Sequence, residues 1–219
     1  MPIDYTFNSE GLLIRALTHS SHSYENGLGA YSNERLEFLG DAVLELIISE
    51  ELYTRYPDDS EGVLTRLRAG LVCEPSLAGR ARLLGLDGML LLGRGEEACG
   101  GRKKDSLLSD ALEALIGAVY LDGGMDCAKR FVLGLLGDAI DKREGMQNDY
   151  KTHLQEALQK NGGEPVEYAI VGETGPDHEK IFTSRVSIGG KAYGTGEGRT
   201  KKEAEQRAAR AALEKLRIH

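Results

Sequence analysis

Four acidic residues, Glu34, Glu37, Asp41 and Glu45, recur at spacings of three and four through the segment Asn33–Glu45. At about 100° per residue they fall within an arc of roughly 80° on one side of a helix. A solvated face is the common reason for such a stripe. Here the neighbours argue otherwise. Leu36, Leu39, Val43, Leu46 and Ile47 cover the remaining surface and Phe38, Leu44 and Ile48 flank the acids, so the helix is expected to be buried nearly all round. Like charges in such a place cost several kcal/mol each unless cations or protons compensate.

A second segment repeats the pattern. Asp110 and Glu113, at i and i+3, are the only charges between Ser109 and Leu121, and Gly117 lies on their side of a helix. A glycine there admits close approach of another helix, which would bring two carboxylate stripes face to face. Carboxylate oxygens alone suit Mg²⁺, with Mn²⁺ as a possible substitute, and such clusters serve phosphodiester cleavage by metal-activated water.

The elements that must hold these acids read as helix after helix. Ser32–Tyr56 is helix-forming, Pro57-Asp58-Asp59-Ser60 is a stop and a new start, and Glu61–Leu84 reads as one further helical stretch. Glycine-rich Gly93–Gly101 reads as a loop. Ser106–Leu121 and Asp126–Lys142 read as helices on either side of a turn at Asp122-Gly123-Gly124. No convincing period-two alternation occurs through residue 142, which predicts an all-α first domain, residues 1–142. A short polar linker, residues 143–148, should follow. Residues 149–219 have a different grammar: a helix at about Tyr150–Asn161, strand-like runs Val166–Glu173, Ile181–Ile188 and Lys191–Thr195, then an alanine-rich helix Thr200–Leu216. The second domain is therefore expected to be a small α+β unit of order α-β-β-β-α.

Composition narrows the class. With 41% hydrophobic and 28% charged residues over 219 positions, the chain is an ordinary globular protein with room for two modest domains. No segment approaches the roughly 20 apolar residues of a membrane span, and Met1–Tyr5 carries no signal-like pattern, so a cytoplasmic location without membrane attachment is expected. Cys73, Cys99 and Cys127 form no Cys-x-x-Cys pair and are expected as buried, reduced thiols. His19 and His22 lack a third ligand nearby, which favours capping or packing. No Gly-x-x-x-x-Gly-Lys-Ser/Thr motif is present, so neither nucleotide hydrolysis nor another small-molecule substrate is supported. Net charge is −8, but residues 148–219 hold 12 of the 27 basic and 11 of the 35 acidic residues. The acidity belongs to the first domain, and the second is free to gather basic residues on one face. Its last helix opens on Lys201-Lys202 beside N-terminal amides, where charge and backbone donors point together at a phosphate.

On these residues the chain resembles a known family. Asn33–Leu44 is similar to the signature of the ribonuclease III catalytic domain, and Gly101–Ser106 with Ala111–Gly117 resembles its second motif. The resemblance implies that Glu37, Asp41, Asp110 and Glu113 are the metal-binding and catalytic carboxylates, with Glu34 and Glu61 as accessory acids. It also implies a homodimer in which Phe38 enters a pocket on the partner. The α-β-β-β-α order, Gln155-Glu156 on its first helix, His178 after its first strand and Lys201-Lys202 resemble a double-stranded RNA-binding domain, which reads A-form shape. Thr200, where serine is commoner, should still cap its helix. The implied activity is endonucleolytic hydrolysis of double-stranded RNA to 5′-phosphate and 3′-hydroxyl ends, in processing of rRNA and mRNA precursors. A non-catalytic RNA-binding protein with a dimerising pseudo-nuclease domain is the alternative.

Overall fold

The computed structural model describes residues 5–143, 150–160, 163–176 and 180–216, the side chains of Glu156 and Lys160 excepted. The chain divides into two compact units, Met1–Gly145 and Met146–His219. The first contains α1 (Glu10–Ala16), α2 (Ser20–Glu25), α3 (Glu34–Arg55), α4 (Glu61–Leu71), α5 (Glu74–Leu83), α6 (Leu86–Met89), α7 (Arg94–Ala98), a 3₁₀ turn at Gly101–Lys103, and α8 (Asp105–Asp141). Among the described residues no helix is long and apolar enough to cross a membrane.

Helices α3 and α8 form the centre of this unit, and two glycines let their backbones touch. A Cβ on Gly40 would lie 1.7 Å from the carbonyl oxygen of Glu113, and one on Gly117 would lie 2.3 Å from that of Leu36. Leu44, Ile47, Ile48, Leu112, Leu115 and Ile116 fill the core beside this crossing. Deleting one such leucine or isoleucine side chain would cost about 2–5 kcal/mol.

The expectation that α3 is buried all round does not hold. Phe38 is 81% exposed, Leu46 57% and Tyr53 75%, and with Ala42 they share one side of the helix. The expected helix Glu61–Leu84 is two helices, because the ring of Pro75 cannot continue a helix from Leu71, and Cys73 turns extended between them. The expected loop Gly93–Gly101 contains α7, whose first amides are capped by Glu25: Arg94 N donates to Oε2 at 2.9 Å. The break expected at Asp122–Gly124 is present: Gly124 leaves helical geometry at φ 78°, so α8 is two helices meeting at a kink. Asp122 anchors that kink to the start of the chain, accepting from Tyr5 Oη and Asn8 N at 2.8 Å each and from Ser9 N at 2.9 Å. The cysteines are free, but Cys73 and Cys99 are exposed and Cys127 is half-buried.

In the second unit α9 (Tyr150–Lys160) precedes an antiparallel sheet of order β1-β2-β3, built from β1 (Val166–Thr174), β2 (Ile181–Ile188) and β3 (Lys191–Gly198), and α10 (Lys201–Leu216) closes it. Strand β3 runs three residues beyond the expected Thr195. Gly194, Gly196 and Gly198 present bare backbone to α10: a Cβ on Gly196 would lie 2.3 Å from Ala208 N. Ala204, Ala208, Ala209 and Ala212 answer from the helix, and Leu154, Val186, Ile188 and Leu213 complete the core. Of the expected linker, residues 144–148 lie outside the described residues. Arg143 packs back on the first unit, pairing with Asp59 at 2.9 Å and covering the Tyr56 ring at 4.2 Å.

Candidate metal centre and RNA-binding helix

The contact at Gly40 and Gly117 sets the separation of the acids that flank it. Glu37 precedes Gly40 by one turn on α3, and Glu113 precedes Gly117 by one turn on α8. Glu37, Asp110 and Glu113 are all half-buried, and each offers one carboxylate oxygen such that the three oxygens lie within 4.8 Å of one another. They are the one such trio of potential ligands among the described residues.

Half-burial of three acids raises their proton affinity. Burial pushes the Glu113 carboxyl up to about 7, helped by the charges of Asp41, Asp110 and Glu37. Burial likewise raises Glu37, with Asp110, Glu34 and Asp41 contributing, and it raises Asp110 despite the Ser109 hydroxyl 3.5 Å from its Oδ1. The site thus stores unfavourable charge that a cation would relieve. An all-oxygen, acidic donor set fits a hard divalent ion.

The other expected acids divide. Asp41, one turn past Glu37, is exposed and outside the trio, although Glu37 and Glu113 both feel its charge. Glu34 is exposed at the start of α3 and accepts from Ser32 Oγ at 2.9 Å. Glu45, last of the stripe, is drawn away by Arg68, whose Nε lies 2.8 Å from its Oε2. Glu61 is exposed at the start of α4, where Thr65 Oγ1 donates to it at 2.8 Å, and is not brought to the trio. His19 caps α2, its Nδ1 accepting from Ser21 N at 3.2 Å. Sequence reading missed that Glu74 and His19 press on the Asp110 carboxyl with opposite signs. They belong to the start of α5 and the loop before α2, and no spacing within one helix could have placed them there.

In the second unit, Thr200 Oγ1 accepts from Glu203 N at 3.1 Å, and Glu203 Oε2 in turn accepts from Arg199 N at 2.9 Å, so the first turn of α10 is firmly capped. Lys201 and Lys202 stand exposed on that turn, and Gln155 is exposed on α9. Glu156 belongs to the same helix, and His178 lies outside the described residues.

Comparison with known proteins agrees with this geometry. Residues 9–139 match the family model described as Ribonuclease-III-like, and residues 150–216 match the one described as double-stranded RNA binding motif. Ribonuclease 3 of Desulforamulus reducens is 53% identical over 217 residues, which cover 98% of this chain and 88% of the relative. The chain belongs to the ribonuclease III family. Another family member, Ribonuclease 3 of Caldanaerobacter subterraneus subsp. tengcongensis, is 50% identical over 99% of this chain and 96% of its own length. Among solved ribonuclease III structures, the nuclease domain from Campylobacter jejuni, described for flexibility in a region involved in dimer formation, superposes with a TM-score of 0.59 at 47% identity, covering 62% of this chain and 92% of that one.

Proposed function

We propose that the chain is an endoribonuclease that hydrolyses phosphodiester bonds within double-stranded RNA. The observation that carries this reading is the trio of half-buried carboxylates gathered from two helices at a backbone-to-backbone crossing, in a chain that also bears a double-stranded RNA binding motif. Residues 1–142 serve catalysis and assembly, 143–148 link, and 149–219 hold the duplex.

Glu37, Asp110 and Glu113 would hold Mg²⁺, or Mn²⁺ in its place, and Asp41 would join them directly or through water. Bound there, the ion would polarise the scissile phosphate and lower the pKa of an attacking water. The carboxylates' own part is to stay ionised and hold the ion, at a spacing that the backbone crossing at Gly40 and Gly117 fixes. Glu34 and Glu61 are accessory, positioning substrate or acting across the assembly. No side chain is required as a nucleophile, and the products are 5′-phosphate and 3′-hydroxyl ends.

A homodimer is supported by the apolar stripe of α3. Phe38, Ala42, Leu46 and Tyr53 are open to solvent on one side, and Phe38 shares a shallow hollow with Leu36, Leu39, Leu121, Arg15 and Arg35. Two sites facing a duplex would stagger the cuts into a short 3′ overhang. Lys201 and Lys202 would grip phosphates, with Gln155, Glu156 and His178 completing the contact. Processing of rRNA and mRNA precursors in the cytoplasm is the cellular setting this reading favours.

Incubation of the purified protein with a long RNA duplex, with and without Mg²⁺, tests the proposal. Short duplex products bearing 5′-phosphates are expected only with the metal. Duplex binding without cutting in either Mg²⁺ or Mn²⁺ would instead establish the non-catalytic alternative.

A further inference from the structure

We infer that Phe182 is a positioning residue for the RNA grip, its ring presenting the Lys201 ammonium at the start of α10. The inference rests on the reading of Lys201 as a phosphate contact. Phe182 on β2 pairs directly with Gly198 on β3, and directly opposed residues of an antiparallel pair project to the same side of the sheet. That side faces the first turn of α10, since a Cβ on Gly198 would lie 2.6 Å from Ala204 N and 2.8 Å from Glu203 Cβ. Where the strand has no side chain, the half-buried ring beside it fits under the helix start, and Lys201 Nζ lies 5.7 Å from its centroid.

The kind of partner matters. Lys151 and Arg210 also lie over rings, of Tyr168 and Tyr150, but each is also paired with a carboxylate, Glu205 at 2.6 Å and Glu214 at 2.9 Å. Lys201 has no carboxylate partner among the described residues. An acid would hold the ammonium by neutralising it. A ring restricts a flexible side chain while leaving its full charge for a phosphate, in line with the amides of a turn that Thr200 and Glu203 already cap. Part of the ordering cost of a lysine is thus met before RNA arrives.

A double-mutant cycle on the full chain tests this, with affinity for an RNA duplex measured across a salt series in chelator-containing buffer so that no cutting occurs. Phe182→Leu, which keeps apolar bulk, should weaken binding about two- to fivefold with the salt slope unchanged. Lys201→Met should weaken binding and lower the slope by about one unit. In the Lys201→Met background, Phe182→Leu should have no further effect. Phe182→Trp, offering a better ring, should match or exceed wild type, and its benefit should also vanish without Lys201. The same loss from Phe182→Leu in both backgrounds, or no loss in either, would overturn the inference. If Lys201→Met alone left affinity and slope unchanged, the underlying reading of Lys201 would be wrong instead.

Discussion

The two units treat charge in opposite ways. In the first, acids of one sign are pressed together in half-buried positions until Glu113 holds its proton up to about 7. In the second, Lys201 and Lys202 stand exposed at a capped helix start. Chemistry on a phosphodiester needs charge concentrated at a fixed spacing, and the repulsion that results must be held by a rigid frame. Gripping a duplex needs charge that is available and oriented, and exposure serves that without straining the fold. Both units use glycine-to-backbone contacts as the frame, Gly40 and Gly117 in one and Gly194, Gly196 and Gly198 in the other.

The comparison is tested most severely at Glu113. Glu113→Gln keeps shape and removes charge from the centre of the trio, and initial rates of duplex cleavage should fall at least about a hundredfold, because even the outer partners of metal ligands are worth about 10–100-fold. Duplex affinity in metal-free buffer should stay at the wild-type value. Comparable cutting rates would show that the concentrated charge is not the active centre.

Phe38→Ala should convert dimer to monomer in sedimentation equilibrium, since a ring of that size buried in a partner is worth about 3–5 kcal/mol. A wild-type protein that sediments as a monomer would remove the two-site arrangement. The glycine frames should fail separately. Gly40→Ala must push α3 and α8 apart and should cost upwards of about 1–3 kcal/mol of stability together with cutting activity. Gly196→Ala should unfold the RNA-binding unit first, visible as a split melting transition with the helical unit intact. A single shared transition in both variants would mean that the two frames are not independent.

Replacing Lys201 and Lys202 together by alanine should weaken duplex binding and lower the salt slope by about one unit per lost contact. Cutting at saturating RNA and low salt should recover toward wild type. Loss of turnover at saturation with affinity unchanged would place the lysines in chemistry rather than grip.

The smallest effect expected is a pH slope. The folded carboxyl of Glu113 titrates near 7 while an unfolded one titrates near its ordinary 4.5, so between those values the folded state binds more protons. Metal-free protein should therefore lose stability as pH rises through that window, and Glu113→Gln should flatten the loss in thermal melts. A wild-type curve that rises with pH there would contradict the crowding of the acids.

Much of the candidate site was legible because helical period is a strong signal. Glu37, Asp110, Glu113 and Gly117 could be placed on facing sides from spacing alone. What spacing could not supply was context across elements. Gly40, the other half of the crossing, has no signature of its own, and Glu74 reaches Asp110 from a different helix. From periodicity alone Phe38 and Leu46 read as core, because a surface that meets another molecule has the same composition as one that meets the interior, and only the resemblance set Phe38 against a partner. The last expected strand stopped at Thr195 because glycine weakens a strand unless a helix presses on it, and only the fold shows Ala204 and Ala208 doing so. The boundaries of α3 and α10 came close, since proline and a capping threonine mark them locally.

The touching backbones at Gly40 and Gly117 have a consequence for how such a sequence can drift. Where main chain meets main chain, the gap between the two acid-bearing faces is set by atoms common to every residue, not by the volumes of the side chains around it. Exchanges such as leucine for isoleucine among Leu44, Ile47, Leu112 and Leu115 can accumulate, and melting temperature can move with them, while the acids keep their separation. Two positions closed to almost every substitution leave the rest of that core free to be rewritten for heat or cold without relearning its chemistry.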